Sequence, residues 1–391
     1  MYTPAFAPEV TLRKEKIVAA LRSMNTDAIL LGTNVNNYYM SGRVFSGYVY
    51  INSDGYLHYY VKRPALLKGE NITYIRKPED IPALLQTAGI SMPSTIGLEM
   101  DFMSYSDIAR LTKVFPEATA TNGSGIMRYV RSTKTAYEIE KIRISAQGHM
   151  SVYKSLQGTY RPGITDTELQ IEIESRLRRA GCLGIFRVAG PSMEVFMGSL
   201  ISGDNADNPS PYDFAMGGAG LDPSLPVGGN GTVIEPGMST MVDLCGNFTG
   251  YMTDISRTYS VGKLSDLAYK AHDCSVAIHH AIAEMARPGV KAADIYNLAY
   301  NMAAEADLSQ YFMGHNQQAG FMGHGVGIEI NEAPVLAPRS RDVLEAGNVI
   351  AVEPKFVIPG TGAVGIENTY LITADGCECL TDFTEEIMPL D

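Results

Sequence analysis

Residues 239–258 read STMVDLCGNFTGYMTDISRT, apolar and small polar residues alternating on either side of a turn at Asn247 to Gly250. Period-two alternation around a glycine-bearing turn predicts a β-hairpin. If the turn is symmetric, Asp243 and Asp254 face each other directly, with Cβ atoms roughly 5 Å apart. Like charges placed so weaken a hairpin, and their neighbours Val242 and Leu244 are apolar. Buried carboxylates need a cation or must take up protons.

The pattern returns near the end of the chain. Val349 to Thr373 alternates around Ile358 to Gly362, and a loop centred on Gly360 opposes Glu353 to Glu367, again among apolar neighbours. Between the two hairpins lies FMGHGVGIEINEAP, residues 321–334, where glycines at 323, 325 and 327 would let backbone and ligand approach His324. A lone histidine usually belongs to a core, but beside four converging carboxylates it becomes a candidate ligand. Four carboxylates and one imidazole suit two divalent ions sharing bridging carboxylates, whether manganese, iron, cobalt or zinc. Two such ions about 3.5 Å apart can activate a water and polarise a carbonyl, so the set points to a metallohydrolase.

Each hairpin follows a pair of helices. Arg161-Pro162-Gly163-Ile164 joins a helix from Ala136 to about Gln157 to one that opens with Thr165 and Glu168 as a capping box. Arg287-Pro288-Gly289-Val290 does the same between helices of about Asp266 to Ala286 and Ala292 to Ala306. The repeat suggests an internal duplication. Upstream, helical spacing in Thr11 to Asn25, short strands at Ala28 to Leu31, Gly47 to Asn52 and Thr95 to Leu98, and helices at Pro82 to Gln86 and Ser106 to Val114 predict a small α/β domain. The polar stretch Arg131 to Lys134 sets the expected domains at 1–131 and 132–391.

The whole chain has 391 residues, 45% hydrophobic and 19% charged, which is enough for two cores and excludes disorder as the main state. With 31 Lys and Arg against 43 Asp and Glu, the net charge of −12 disfavours nucleic acid and acidic membrane surfaces as partners. A small peptide or small-molecule amide fits better. Five cysteines form neither a disulfide framework nor paired metal clusters. The start, MYTPAFAPEVTLRKEK, lacks a basic segment leading into an apolar one, and no apolar run reaches about 18 residues, so a cytoplasmic protein is expected.

Asp243, Asp254, the glycine-flanked His324, Glu353 followed by Pro354, and Glu367 resemble the ligand set of the pita-bread metallopeptidases, the family of prolidase (Xaa-Pro dipeptidase), aminopeptidase P and methionine aminopeptidase. Asn37 to Gly42 is similar to a motif of the creatinase/prolidase N-terminal domain, which makes methionine aminopeptidase the poorer match. The resemblance implies an α+β fold: a pita-bread catalytic domain of duplicated helix-hairpin units after a creatinase-type α/β domain. It also implies two divalent ions, manganese first. Asp243 would serve one ion, His324 and Glu353 the other, and Asp254 and Glu367 both. Glu353 would act as proton shuttle in Xaa-Pro amide hydrolysis. A homodimer is implied too, the small domain helping to close its own or a neighbour's site.

Three positions depart from the proline-specific pattern. Ser210, Asn331 and Gly365 stand where such relatives carry His, His and Arg. Those groups polarise the scissile carbonyl or hold the substrate, and one lost donor can cost about 100- to 1000-fold in rate. The glycine-rich Met216 to Gly231 and His315 are candidate replacements, His315 as a substrate-binding residue, while His279-His280 reads as structural. Two alternatives therefore stand beside peptide cleavage: a C–N hydrolase or lyase of this fold acting on a small ectoine- or creatine-like zwitterion, and a non-catalytic binding protein.

Overall fold

A computed structural model describes residues 6–190, 196–213 and 217–391. The chain divides into two compact units, one through Arg131 and the other from Ser132 to Asp391.

In the first unit a mixed sheet runs in the order β4-β3-β2-β1-β5-β6. Its central strand is β1 (Ala28–Leu31), every residue of which is buried. Antiparallel to it lies β2 (Ser46–Asn52), then β3 (Leu57–Arg63), with β4 (Ile72–Tyr74) parallel at the edge. On the other side β5 (Thr95–Leu98) and β6 (Thr119–Asn122) run parallel to their neighbours. Helices α1 (Ala7–Ser23), α2 (Asn34–Ser41), α3 (Ile81–Thr87), α4 (Tyr105–Val114) and α5 (Ser124–Ser132) complete the unit. The motif at Asn37 to Gly42 ends α2: Gly42 takes the left-handed conformation, φ 69°, and its N–H closes on the Tyr38 carbonyl. Asn37 itself is buried and donates to the Phe45 carbonyl, so the motif fixes a helix end.

The second unit carries the duplication through to geometry. Helices α6 (Ala136–Tyr153) and α7 (Asp166–Arg179) precede β7 (Gly198–Ser202) and the hairpin of β8 (Ser239–Asn247) and β9 (Met252–Ser260). Helices α8 (Asp266–Met285) and α9 (Ala292–Glu305) precede β10 (Gly323–Gly325), β11 (Glu332–Leu336) and the hairpin built of β12 (Val349–Val352), β13 (Lys355–Ile358), β14 (Gly362–Gly365) and β15 (Asn368–Ile372). Short strands β16 (Cys377–Cys379) and β17 (Met388–Pro389) follow. In each copy the glycine of the Arg-Pro-Gly turn has positive φ, 86° at Gly163 and 91° at Gly289. The second helix of each copy then starts beside an isolated bridge, Thr165 to Val233 and Lys291 to Val343. The capping box at α7 forms as expected, with Thr165 accepting from the Glu168 N–H and returning its own N–H to that carboxylate.

Two sheets follow, β11-β10-β12-β15-β16 and β17-β9-β8-β7, with β13-β14 as a separate pair. Apolar faces of α8 and α9 pack on Ile350, Val352, Phe356 and Val364 of the second hairpin. Those of α6 and α7 pack on Val242, Leu244 and Ile255 of the first. The sheet faces away from the helices are thus left to the polar side chains of both hairpins. His279 bridges helix and hairpin: its two ring nitrogens lie 3.0 Å from the Tyr370 hydroxyl and the Ile366 carbonyl, a structural role.

Candidate active site

The second hairpin keeps the expected register. Val352 pairs with Asn368 and Lys355 with Gly365, so Glu353 and Glu367 oppose each other at the break between the β12-β15 and β13-β14 ladders. The first hairpin slips by two residues from the symmetric expectation. Asp243 pairs with Ser256, and Asp254 with Cys245, because the strands close at Asn247 and Met252 around a longer turn. A slip of two preserves the face, so the aspartates remain neighbours, now on a diagonal.

His324 sits on β10, between β11 and β12. Its flanking glycines make room for other strands: a Cβ at Gly323 would lie 2.4 Å from the Ala351 carbonyl oxygen, and one at Gly325 2.1 Å from that of Ala333. At Gly327 the intruder would meet the Glu332 carboxylate at 2.6 Å. The expectation of close approach holds, with neighbouring backbone and a carboxylate in place of a ligand. The Nδ1 of His324 lies 3.2 Å from the Gly325 carbonyl oxygen. A proton on Nδ1 leaves the Nε2 lone pair facing the carboxylates, 3.6 Å from Glu353 and 3.9 Å from Asp254. Burial lowers the imidazole pKa, favouring that neutral form.

Asp243, Asp254, His324, Glu353 and Glu367 thus meet in one pocket. Among the described residues two groups offer atoms within 4.8 Å of one another, Asp254 with His324 and Glu367, and Asp243 with Glu353 and Glu367. Their supports are backbone and hydroxyl contacts. Ser256 donates to Oε2 of Glu367 at 2.6 Å, Thr369 exchanges hydrogen bonds with the Asp254 backbone, and the Glu353 N–H donates to the Met322 carbonyl. Oε1 of Glu367, by contrast, is buried with no hydrogen-bond partner among the described residues. Burial pushes the Glu367 carboxyl up to about 8, with Lys355 pulling it back and the neighbouring carboxylates adding to it. Burial likewise raises Asp254, reinforced by Glu367, Asp243 and Glu353, and it raises Glu353 against the pull of Lys355.

Lys355 is the residue the sequence reading missed. Its side chain is fully buried, and Nζ donates to Asp243 at 2.7 Å, Glu353 at 2.8 Å and Glu367 at 3.1 Å. Burial alone would lower an ammonium pKa, yet the three carboxylates hold Lys355 well above its ordinary value. Its donors are all used. The signal was available: Lys355 lies two residues after Glu353 on a strand path, where alternate side chains share a face.

The departures are built into the fold. Gly365, directly across from Lys355, has φ 130°, and a Cβ there would lie 2.7 Å from the Pro354 carbonyl oxygen. Asn331 clamps Ala189 with both ends of its amide, 2.7 and 3.0 Å. Ser210 donates to the Pro226 carbonyl at 2.9 Å. His315 pairs with Asp207 at 2.8 Å and lies against the Tyr311 ring, and none of its described contacts reaches the five-residue cluster. In the glycine-rich segment, Asn205 ties Ala219 to Gly228; Met216 lies outside the described residues.

The likenesses to known proteins agree with this geometry. Residues 13–133 match the creatinase/prolidase N-terminal domain, and residues 140–374 match metallopeptidase family M24. An Xaa-Pro dipeptidase of Pyrococcus furiosus is 25% identical over 386 residues, covering 96% of this chain and 99% of the relative. An uncharacterized peptidase of Bacillus subtilis is 26% identical over 390 residues, covering 97% and 100%. Among solved structures, an Xaa-Pro dipeptidase from Bacillus anthracis superposes with a TM-score of 0.81 at 25% identity, covering 97% of this chain and 99% of the other. With the larger match spanning more than half its length, the chain belongs to metallopeptidase family M24, a metallopeptidase-like hydrolase in which a pita-bread domain follows a creatinase/prolidase N-terminal domain.

Proposed function

We propose that the chain hydrolyses a carbon–nitrogen bond in a small amide, with Xaa-Pro dipeptides as the first substrate class. The observation that carries this reading is the gathering of Asp254, His324, Glu353 and Glu367 in one buried pocket. Relatives named Xaa-Pro dipeptidases along nearly the whole chain support the substrate class.

Asp254, His324 and Glu367 would hold a divalent ion, which the unpartnered Oε1 of Glu367 and the free face of His324 suit. One imidazole among carboxylates fits manganese, iron, cobalt or zinc, and manganese is the first to try. Bound there, the ion would supply Lewis-acid polarisation of a carbonyl and a lowered pKa for water. The second group, around Asp243, does not fit an ion as it stands, because the Lys355 ammonium fills it.

Glu353 is the proton carrier in this reading. Lys355 fixes its Oε2, and Oε1 faces His324, so the carboxylate has one oxygen anchored and one directed into the pocket. A carboxyl raised by burial takes a proton from water more readily than an exposed one and hands it to the departing nitrogen. The resemblance adds a homodimer and a cytoplasmic setting to the proposal.

Gly365 favours a second reading, a non-peptide zwitterion as substrate. No cation projects from that position to meet a substrate carboxylate, and its cross-strand partner, Lys355, is already committed to three acids. A panel of Xaa-Pro dipeptides and non-peptide cyclic or N-acyl amides, assayed with manganese, separates the two. Manganese-dependent cleavage of the dipeptides upholds the first, and cleavage of non-peptide amides alone upholds the second. Glu353→Gln should cut turnover by about 100-fold or more with the fold retained by circular dichroism. Unchanged turnover in that variant, or no C–N hydrolysis across the panel, sinks the proposal.

A further inference from the structure

The pocket offers two groups of side chains able to hold an ion, and one of them already has a cation in it. The Nζ of Lys355 makes contacts of 2.7, 2.8 and 3.1 Å to one oxygen each of Asp243, Glu353 and Glu367, the very trio that forms the second group. Those separations suit charge-assisted N–H···O bonds and are longer than the roughly 2.0–2.2 Å of a carboxylate oxygen on a transition-metal ion. The backbone that carries the ammonium is fixed as well. Lys355 pairs with Gly365 across the hairpin, its carbonyl accepts from the Met313 N–H at 2.8 Å, and its side chain has no exposed surface. Moving it aside to admit an ion would bury an unpaired charge.

The first group differs in each respect. Among the described residues, no cation lies between Asp254, His324 and Glu367, His324 turns Nε2 inward, and Oε1 of Glu367 is buried without a partner. Glu367 itself is 1% exposed, so that oxygen lies in the interior. A polar atom so placed marks an unfilled ligand position.

We propose that Lys355 permanently occupies the place of one of two divalent ions, so that this pocket takes a single divalent ion, between Asp254, His324 and Glu367. The ammonium serves as the fixed second cation. It neutralises Asp243, orients Glu353 and shares Glu367 with the ion, without being exchangeable or removable by chelators. This deepens the hydrolase reading and relies on it only for the choice of a divalent ion as ligand.

The test is stoichiometry, which needs no turnover. Full-length protein is reloaded with excess manganese chloride, desalted, and measured by elemental analysis and electron paramagnetic resonance. The wild type should hold one manganese per chain with the six-line spectrum of an uncoupled ion. Lys355→Gly should hold two, with an exchange-coupled spectrum, and His324→Ala should lose the wild-type ion. Two ions or none in the wild type overturns the proposal, as does a folded Lys355→Gly that stays at one. Should Lys355→Gly fail to fold, the wild-type spectrum decides: coupled ions overturn the proposal, and one uncoupled ion per chain upholds it. One manganese with no C–N hydrolysis would keep this inference and remove the function. Two with hydrolysis would do the reverse.

Discussion

Arg257 offers the sharpest measurement of what holds the pocket in shape. It stands on β9 beside Ser256, fully buried, and its guanidinium makes five hydrogen bonds: to the carbonyls of Thr384, Ser256, Glu367 and Phe383 and to Oδ1 of Asn368, at 2.7 to 3.3 Å. One planar group thereby ties the first hairpin to the strand segment that presents Glu367. Replacing it with Met in Arg257→Met keeps comparable bulk and strands five acceptors, three of them in buried bonds. Hydrogen bonds to a charged group contribute about 1.5–3 kcal/mol each, but they are not additive, and removing the guanidinium also removes its own desolvation cost. The net loss should be about 3–5 kcal/mol, since each buried acceptor left unsatisfied costs about 1–3 kcal/mol. For a unit of this size roughly 2–4 °C accompanies each kcal/mol, so the melting temperature should fall by about 6–20 °C. Arg257→Lys, with fewer donors and no planar fork, should fall in between. Differential scanning calorimetry on the chelator-treated protein measures both. The same Arg257→Met protein, if folded, should bind manganese more weakly, because Glu367 loses the anchor on its carbonyl. A melting temperature within about 2 °C of wild type would refute this account of the pocket's rigidity.

Two further perturbations read other parts of the fold. Burial lowers His279 from 6.5 to about 3, so between those values the unfolded chain binds a proton that the folded one refuses. Its contribution is present above pH 6.5 and is lost as pH falls toward 3. At pH 5 that is about 2 kcal/mol, which His279→Gln should not lose; urea midpoints at pH 7 and pH 5 that shift in parallel for both proteins would contradict it. Gly365→Arg, which installs the side chain that proline-specific relatives carry, should lower stability by about 1–3 kcal/mol, since φ is 130° and the Cβ would press on the Pro354 carbonyl. It should not improve dipeptide cleavage, and a wild-type melting temperature for Gly365→Arg would show that the backbone there tolerates the residue.

Much of the site is legible in one dimension because hairpins are local. Alternation has a period of two, so Asp243 and Asp254 share a face whether the turn closes symmetrically or, as here, two residues later. Glu353 and Glu367 oppose each other in the register that Gly360 implies. The Arg-Pro-Gly turns and the capping box at Thr165 are local too, set by backbone conformation and by hydrogen bonds within a few residues.

What the sequence could not disclose is which charge answers which. His324 lies between strands whose carbonyls fill the space its glycines leave, and only the packing of β11 and β12 against β10 decides that. Two residues after Glu353, Lys355 shares its strand face, but the sequence does not say what its ammonium meets. It becomes the centre of the pocket because Asp243 comes from another hairpin and Glu367 from the opposite side of its own, and because three carboxylates together outweigh the cost of burying an ammonium. Alternation along one strand assigns a face. The balance between desolvation and Coulomb attraction is a property of the whole neighbourhood, and that neighbourhood exists only once distant strands have met.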